Sequence, residues 1–275
     1  MTEDLTASPG LTDTFRADGV VHLPKALDGE WIDLIELGIR RNLNSPGPYA
    51  TRVFEGTERE IYIDHCNVSA VPEFKILLQD SPIVDIVAEI LGTENLWLFF
   101  EQVWIKAGGT ARRTPWHQDA PYWMTEGSQV CGFWITLDKV SPEQSLEFVK
   151  GSHLGPLYAG MSFDPDDETK PYYEHSPWPR MPDIQADRSS WDIVSFDNEP
   201  GDVVMFHPAA LHGGGASDAG RRTLSLRFFG DDVTYAPRPG KASPPFPGVA
   251  ANIKPGEPLR SSWFPQVLPR PATIW

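Results

Sequence analysis

Two kinds of hydrophobic periodicity occur along this chain, one typical of helices and the other of strands. Residues 31–43 repeat apolar side chains with helical spacing, and Asp28 is placed to cap this helix. Residues 82–91 predict a second helix, which Gly92 ends. Residues 19–23 are typical of a short strand. The first part of the chain is therefore expected to contain both helices and a strand.

The later part is richer in β-branched and aromatic residues, in short runs separated by Gly and Pro. These runs predict strands at residues 96–106, 130–137, 146–149, 202–206 and 223–229. Many strands at short intervals favour a double-sheet jelly roll with the helices packed outside one sheet. We therefore predict a mainly β fold with flanking helices.

We expect all 275 residues to form one domain. Residues 1–95 would pack on the barrel, residues 96–235 would form the jelly-roll core, and the Pro-rich residues 236–275 would extend over it. Residues 155–198 do not fit a strand pattern, and a long irregular insert is usually a functional lid or disordered. The aromatic residues of this insert favour a lid.

A formal net charge of −15 argues against nucleic acid and anionic membranes as partners, since both require a basic surface. A few Arg or Lys in a pocket can still attract a small anion. Cys66 and Cys131 are too few for a disulfide framework or a cysteine zinc site. The first residues lack the pattern of a secretory signal, and no apolar run reaches the ~18 residues of a membrane span. We expect a cytoplasmic protein that acts on a small molecule.

The segment from Thr114 to Asp119 carries the most informative chemistry, a His and an Asp two residues apart. In an extended segment such residues project from the same face, so His117 and Asp119 would offer two metal ligands. His212, far downstream, would offer a third. Two imidazoles and one carboxylate on one side of a metal form the facial arrangement of non-haem Fe(II) oxygenases.

Two choices remain open at this stage. His207 competes with His212, but it ends a buried-looking strand and precedes Pro208, which favours a structural role. Arg221 and Arg222 follow in a strand, where only one of two neighbours can point inward. A guanidinium can bind a carboxylate through two parallel hydrogen bonds. The two arginines beside a metal motif therefore favour an anionic co-substrate.

Taken in order, these motifs resemble those of the phytanoyl-CoA dioxygenase family of Fe(II)/2-oxoglutarate-dependent oxygenases. The resemblance runs from about residue 13 to 235. Its motifs are Asp18-Gly19-Val20-Val21, Trp116-His117-Gln118-Asp119, Trp134-Ile135-Thr136-Leu137-Asp138, Phe148-Val149-Lys150-Gly151-Ser152-His153, Pro200-Gly201-Asp202-Val203-Val204-Met205-Phe206, Leu211-His212-Gly213 and Arg221-Arg222-Thr223-Leu224-Ser225.

The resemblance implies a double-stranded β-helix of the cupin-like type that binds iron(II), 2-oxoglutarate and O2. Iron would be held by His117, Asp119 and His212. The co-substrate would chelate iron through its 2-oxo acid end, and its distal carboxylate would meet Arg221 rather than Arg222. Further contacts to 2-oxoglutarate are implied for Lys106, Trp134 and Gln102.

The activity implied is hydroxylation of an unactivated C–H bond in a small-molecule or natural-product substrate, with decarboxylation of 2-oxoglutarate to succinate. Asp119 argues against halogenation, because halogenating relatives carry a small residue in place of this carboxylate. Tyr122, Trp123 and Trp104 are expected to line the substrate pocket. Two alternatives remain: a non-oxidative metal-dependent jelly-roll isomerase or hydrolase, and a catalytically silent protein that binds metal and 2-oxoglutarate.

Overall fold

The structure is a computed structural model that describes residues 10–108, 113–162, 167–173, 175–216, 219–240 and 242–274. Its helices are α1 (Leu11–Asp18), α2 (Gly29–Asn44), α3 (Pro72–Asp80), α4 (Ile83–Leu91) and α5 (Val249–Asn252). Its strands are β1 (Val20–Leu23), β2 (Thr51–Val53), β3 (Ile61–His65), β4 (Leu96–Lys106), β5 (Thr114–His117), β6 (Thr125–Glu126), β7 (Val130–Thr136), β8 (Leu146–Val149), β9 (Ile193–Ser195), β10 (Val203–Phe206), β11 (His212–Gly214), β12 (Arg221–Phe229), β13 (Thr234–Tyr235) and β14 (Gln266–Leu268). Within these ranges, every helix is too short or too polar to cross a membrane.

Two antiparallel sheets form the centre of the molecule. The large sheet has the order β1-β10-β7-β12-β4-β3-β2, with β14 also paired to β4, and the small sheet has the order β5-β11-β8-β9. Between them lies a core that includes Trp134, Phe148 and Phe206. The prediction of a mainly β double-stranded β-helix with flanking helices is confirmed.

Helices α1 to α4 cover the outer face of the large sheet and bury the largest hydrophobic core against it. Helix α2 begins as predicted at Asp28, whose carboxylate accepts hydrogen bonds from the backbone N–H groups of Glu30 and Trp31. Helix α4 ends as predicted at Gly92, which has a φ of 68° that suits glycine. This packing separates the outer face of the large sheet, which contacts the helices, from its inner face, which contacts the small sheet.

Several elements differ from the predicted pattern. The sequence did not predict α1, α3, β2 or β3. Strand β9 lies inside the insert at residues 155–198 and pairs with β8, so the prediction that the insert contains no strand is wrong at its end. A strand of three residues is too short to show a period, and it forms because β8 offers it hydrogen-bond partners.

The insert and the C-terminal extension pack on different parts of the barrel and meet where Arg238 lies 5.6 Å from the ring of Trp178. Met161, Met181 and Ile184 of the insert contact the outer face of the small sheet, while the described extension packs its aromatic side chains on β4. Residues 163–166, 174, 241 and 275 of these two segments lie outside the described residues. The single-domain organisation and the role of the insert as a lid stay predictions.

Candidate active site

Three potential metal ligands meet at one edge of the small sheet: His117, Asp119 and His212. One ligand atom of each lies within 4.8 Å of the other two. The Oδ1 atom of Asp119 is 3.6 Å from Nε2 of His117 and 3.9 Å from Nε2 of His212. His117 and His212 are direct partners in the pairing of β5 with β11, so the sheet itself brings the two imidazoles together.

Asp119 reaches this site by a route that the sequence did not predict. Strand β5 ends at His117, and Asp119 has the helical backbone angles φ −77° and ψ −34° ahead of a 3₁₀ turn at Ala120–Tyr122. Its backbone N–H donates to the carbonyl of Pro208, at 2.8 Å. The two ligands therefore share one side of the site because of this turn, and the argument from strand alternation is wrong.

Backbone carbonyls fix the orientation of both imidazoles. The Nδ1 atom of His117 lies 2.8 Å from the carbonyl oxygen of Pro115, and that of His212 lies 2.9 Å from the carbonyl oxygen of Ala210. A carbonyl only accepts, so each Nδ1 donates and each Nε2 keeps a lone pair for a metal. Burial, together with the nearby His117, lowers the pKa of His212 to about 4. The set thus fits a divalent metal ion, which requires neutral imidazoles.

Gln118, which the sequence did not single out, ties the ligand turn to its surroundings. Its buried side-chain amide donates to the carbonyls of Ala209, at 2.7 Å, and Pro156, at 3.2 Å. Its amide oxygen accepts from the backbone N–H of Tyr158, at 2.8 Å. The sequence signal for this role was the position of Gln118 between two metal ligands. A side chain at that position points away from the metal site and toward the neighbouring loops.

His207 lies outside the group of three ligands. Its Nδ1 atom accepts from the backbone N–H of Ala209, at 3.1 Å, and its ring lies 5.3 Å from that of His153. Burial and the adjacent His153 lower the pKa of His207 to about 4. These contacts agree with the structural role expected for it.

Two buried cations lie side by side on the inner face of the large sheet. Arg221 of β12 is the register partner of Lys106 of β4, and the side chains are 4% and 1% exposed. The guanidinium of Arg221 donates to the carbonyl of Gln144, at 2.6 Å, and lies 5.6 Å from the ring of Trp134. Burial lowers the pKa of Arg221 to about 10. Burial and the charges of Arg221 and Arg113 lower that of Lys106 to about 7.

Arg222 points to the other face of the same strand. Its guanidinium lies 2.7 Å from a carboxylate oxygen of Asp138 and 3.2 Å from one of Glu36, which belongs to α2. Arg221 therefore faces the barrel interior, while Arg222 is satisfied by acidic residues outside it. This arrangement follows from the two-residue period of a strand.

The remaining predicted residues occupy different surroundings. Gln102 accepts a hydrogen bond from Arg227, at 2.8 Å. Trp104 is the register partner of Thr223, and its buried indole N–H has no hydrogen-bond partner among the described residues. Trp123 packs edge-on against the ring of Phe100. All three lie in or next to the barrel interior, which is consistent with contact to a ligand.

Tyr122 has a different position from that expected of a simple pocket wall. Its hydroxyl donates to the carbonyl of Met161, at 2.8 Å, and accepts from the backbone N–H of the same residue. Tyr122 thereby anchors the insert to the ligand turn. A contact between Tyr122 and substrate stays a prediction.

Comparison with known proteins agrees with this geometry. The family model for phytanoyl-CoA dioxygenase (PhyH) matches residues 15–223. A probable phytanoyl-CoA dioxygenase of Caenorhabditis elegans is 28% identical over 160 residues, which are 55% of this chain and 49% of that protein. The match therefore spans about half the length of that curated relative.

Solved structures share the fold over nearly the whole chain. The non-haem α-ketoglutarate-dependent carbocyclase SnoK from nogalamycin biosynthesis is 22% identical with a TM-score of 0.72, covering 95% of this chain and 96% of that one. The epimerase SnoN in complex with Fe3+, α-ketoglutarate and nogalamycin RO is 22% identical with a TM-score of 0.70, covering 94% and 97%. Since the family model covers most of its length, the chain belongs to the phytanoyl-CoA dioxygenase family of Fe(II)/2-oxoglutarate-dependent oxygenases.

Proposed function

We propose that this protein is an Fe(II)/2-oxoglutarate-dependent dioxygenase that hydroxylates an unactivated C–H bond of a small molecule. The observation that carries the proposal is the convergence of His117, Asp119 and His212 within 4.8 Å. Three protein ligands on one side leave open positions at the metal for a chelating co-substrate and oxygen. The co-substrate would leave as succinate and carbon dioxide.

Each side chain has a defined part in this proposal. The iron supplies oxygen activation, and the protein orients the reactants and excludes water. Arg221 and Lys106 would bind the distal carboxylate of 2-oxoglutarate, because two buried cationic side chains at paired positions of neighbouring strands favour an anion. Trp134 would pack beside the co-substrate, and Gln102 would contact the co-substrate or the substrate.

The substrate class is inferred from proteins that share the fold. SnoK and SnoN, which share the fold, come from nogalamycin biosynthesis, and this favours a natural-product substrate. Their names describe ring formation and epimerisation, so hydroxylation is one of several outcomes that this type of site serves. A product that gains one oxygen atom would identify hydroxylation. A cytoplasmic location stays a prediction from the sequence.

Uncoupled turnover tests the proposed function without knowledge of the substrate. The protein is incubated in air with 2-oxoglutarate and either Fe(II) or Zn(II), and succinate is measured. We expect slow succinate formation that requires both iron and oxygen. An isomerase or hydrolase would not consume 2-oxoglutarate. A silent binding protein would bind 2-oxoglutarate yet release no succinate, and that result would overturn the proposal.

A further inference from the structure

A second buried guanidinium, that of Arg227, lies on the same inner face of β12 as Arg221. Residues two apart on a strand share a face, and Thr223 and Ser225 complete this inward row. Six residues of strand span about 20 Å, several times the length of a carboxylate group. Arg227 therefore lies too far along the strand to share the carboxylate that we assign to Arg221.

The surroundings of Arg227 hold it in place and leave donors unused. The residue is 7% exposed, and its guanidinium lies 4.8 Å from the ring of Phe100 and 6.0 Å from that of Trp123. It donates to the amide oxygen of Gln102, at 2.8 Å, and to the carbonyl of Ser225, at 3.3 Å. Its Nε is buried without a partner among the described residues. A guanidinium has five N–H donors, so the hydrogen-bonding capacity of Arg227 is only partly used.

The charge of Arg227 also lacks a dedicated counter-ion. In the described part of the chain, no Asp or Glu forms an ion pair with it, and burial lowers its pKa. Burial raises the pKa of the nearby Glu101 to about 8, so this carboxyl carries little charge at neutral pH. The carboxylate of Asp119 favours the charged form of Arg227, but its Oδ1 atom lies 3.6 Å and 3.9 Å from the Nε2 atoms of His117 and His212. A buried charge without a partner is costly, which indicates that a ligand completes this site.

The position of Arg227 links it to the proposed reaction centre. Its guanidinium lies 6.0 Å from the ring of Trp123, and Trp123 ends the 3₁₀ turn that Asp119 begins. A divalent metal bound there would draw on the Asp119 carboxylate and leave Arg227 still less compensated. The flat rings of Phe100 and Trp123 flank the guanidinium and would suit a planar, apolar ligand body.

We propose that Arg227, oriented by Gln102, binds an oxygen anion of the primary substrate. The substrate class is a carboxylate, phenolate or enolate on an aromatic or similarly flat carbon skeleton. This inference rests on the proposed function and deepens it, because it assigns one inward guanidinium to the co-substrate and the other to the substrate.

Benzoate and its neutral analogue benzamide test this assignment. Each is titrated anaerobically, by ligand-observed NMR, into protein that carries Fe(II) and saturating 2-oxoglutarate, so that Arg221 is already engaged. Charged hydrogen bonds contribute about 1.5–3 kcal/mol, so we expect benzoate to bind at least about tenfold more tightly than benzamide. Arg227→Gln should abolish this preference. The matched control Arg222→Gln, on the outer face of the same strand, should keep it.

The visible absorption of the iron and 2-oxoglutarate complex is recorded on the same samples and separates the two proposals. If the wild-type protein shows this absorption but binds benzoate and benzamide equally, the role of Arg227 is overturned while the proposed function stands. A benzoate preference that survives in Arg227→Gln also overturns it. If Arg227→Gln does not fold, two measurements still test the role of Arg227. One is the comparison of benzoate with benzamide on the wild-type protein, and the other uses an Arg227→Lys variant, which keeps the charge but loses the bidentate guanidinium. The Lys variant should bind benzoate more weakly than wild type but better than benzamide.

Discussion

The two facing sheets contribute different chemistry, and they position it by different means. The small sheet supplies two imidazoles, those of His117 and His212, whose orientation depends on backbone carbonyls. The carboxylate of Asp119 beside them lies on a turn. The large sheet supplies the cations Lys106, Arg221 and Arg227, which share one face by strand alternation. Substitution of the ligand residues at the small sheet should therefore abolish metal binding. Substitution of the cations on the large sheet should leave metal binding intact and weaken the binding of anions.

The largest effect is expected from Asp119→Ala, on the metal side of this comparison. Loss of contacts that only orient metal ligands costs 10–100-fold, so loss of a ligand itself should reduce uncoupled succinate formation by at least about a hundredfold. Iron binding, measured by metal analysis after gel filtration, should fall with it. Asp138→Ala, which removes an acidic side chain outside the barrel, is the control and should stay within about twofold. Near-normal turnover by Asp119→Ala would contradict the site.

A smaller and different effect is expected from Arg221→Gln. The concentration of 2-oxoglutarate that gives half-maximal uncoupled turnover should rise at least about tenfold, because a charged hydrogen bond contributes about 1.5–3 kcal/mol. Iron content should not change. The matched variant Arg222→Gln loses only the contacts to Asp138 and Glu36 and should behave like the wild type. The opposite outcome, with Arg222→Gln impaired, would show that the strand register is wrong.

The smallest effect is expected in the pH dependence of 2-oxoglutarate binding. The pKa of Lys106 is lowered to about 7, so this cation is lost as pH rises through 7, whereas Arg221, with a pKa of about 10, stays charged. The carboxylates of the ligand are ionised throughout this range. Affinity should therefore fall above pH 7, by at most about tenfold per pH unit.

Calorimetry between pH 6 and 9 measures this profile. Lys106→Met should bind 2-oxoglutarate weakly and show a flat profile, while the exposed Lys139→Met should retain the wild-type slope. If the affinity of Lys106→Met for 2-oxoglutarate still falls as pH rises above 7, a group other than Lys106 causes the pH dependence.

The same contrast explains what the sequence predicted and what it missed. Periodic segments carried a reliable signal: β4 and β8 have the predicted bounds, and the alternation in β12 placed Arg221 and Arg222 on opposite faces. The conformation of Asp119 was missed because its turn is held by a hydrogen bond to Pro208, which is distant in sequence. No local pattern reports such a contact.

Other omissions have related causes. Strand β9 has only three residues, and helix α3 buries fewer apolar residues than the equally long α4, so neither shows a clear period of its own. The sequence analysis did not single out Arg227, because its surroundings include Gln102 and Phe100 of β4, which no pattern within β12 reports. Long-range packing of this kind follows from the fold and not from the strand that carries the residue.

The most direct test of the central claim is anaerobic addition of 2-oxoglutarate to the Fe(II)-loaded protein. Chelation of iron(II) by the 2-oxo acid produces a weak charge-transfer band in the visible region. We predict that this band appears in the wild-type protein and in Arg222→Gln, and that it is absent in Asp119→Ala. Wild-type protein that retains its iron and binds 2-oxoglutarate, yet shows no band, would contradict the account.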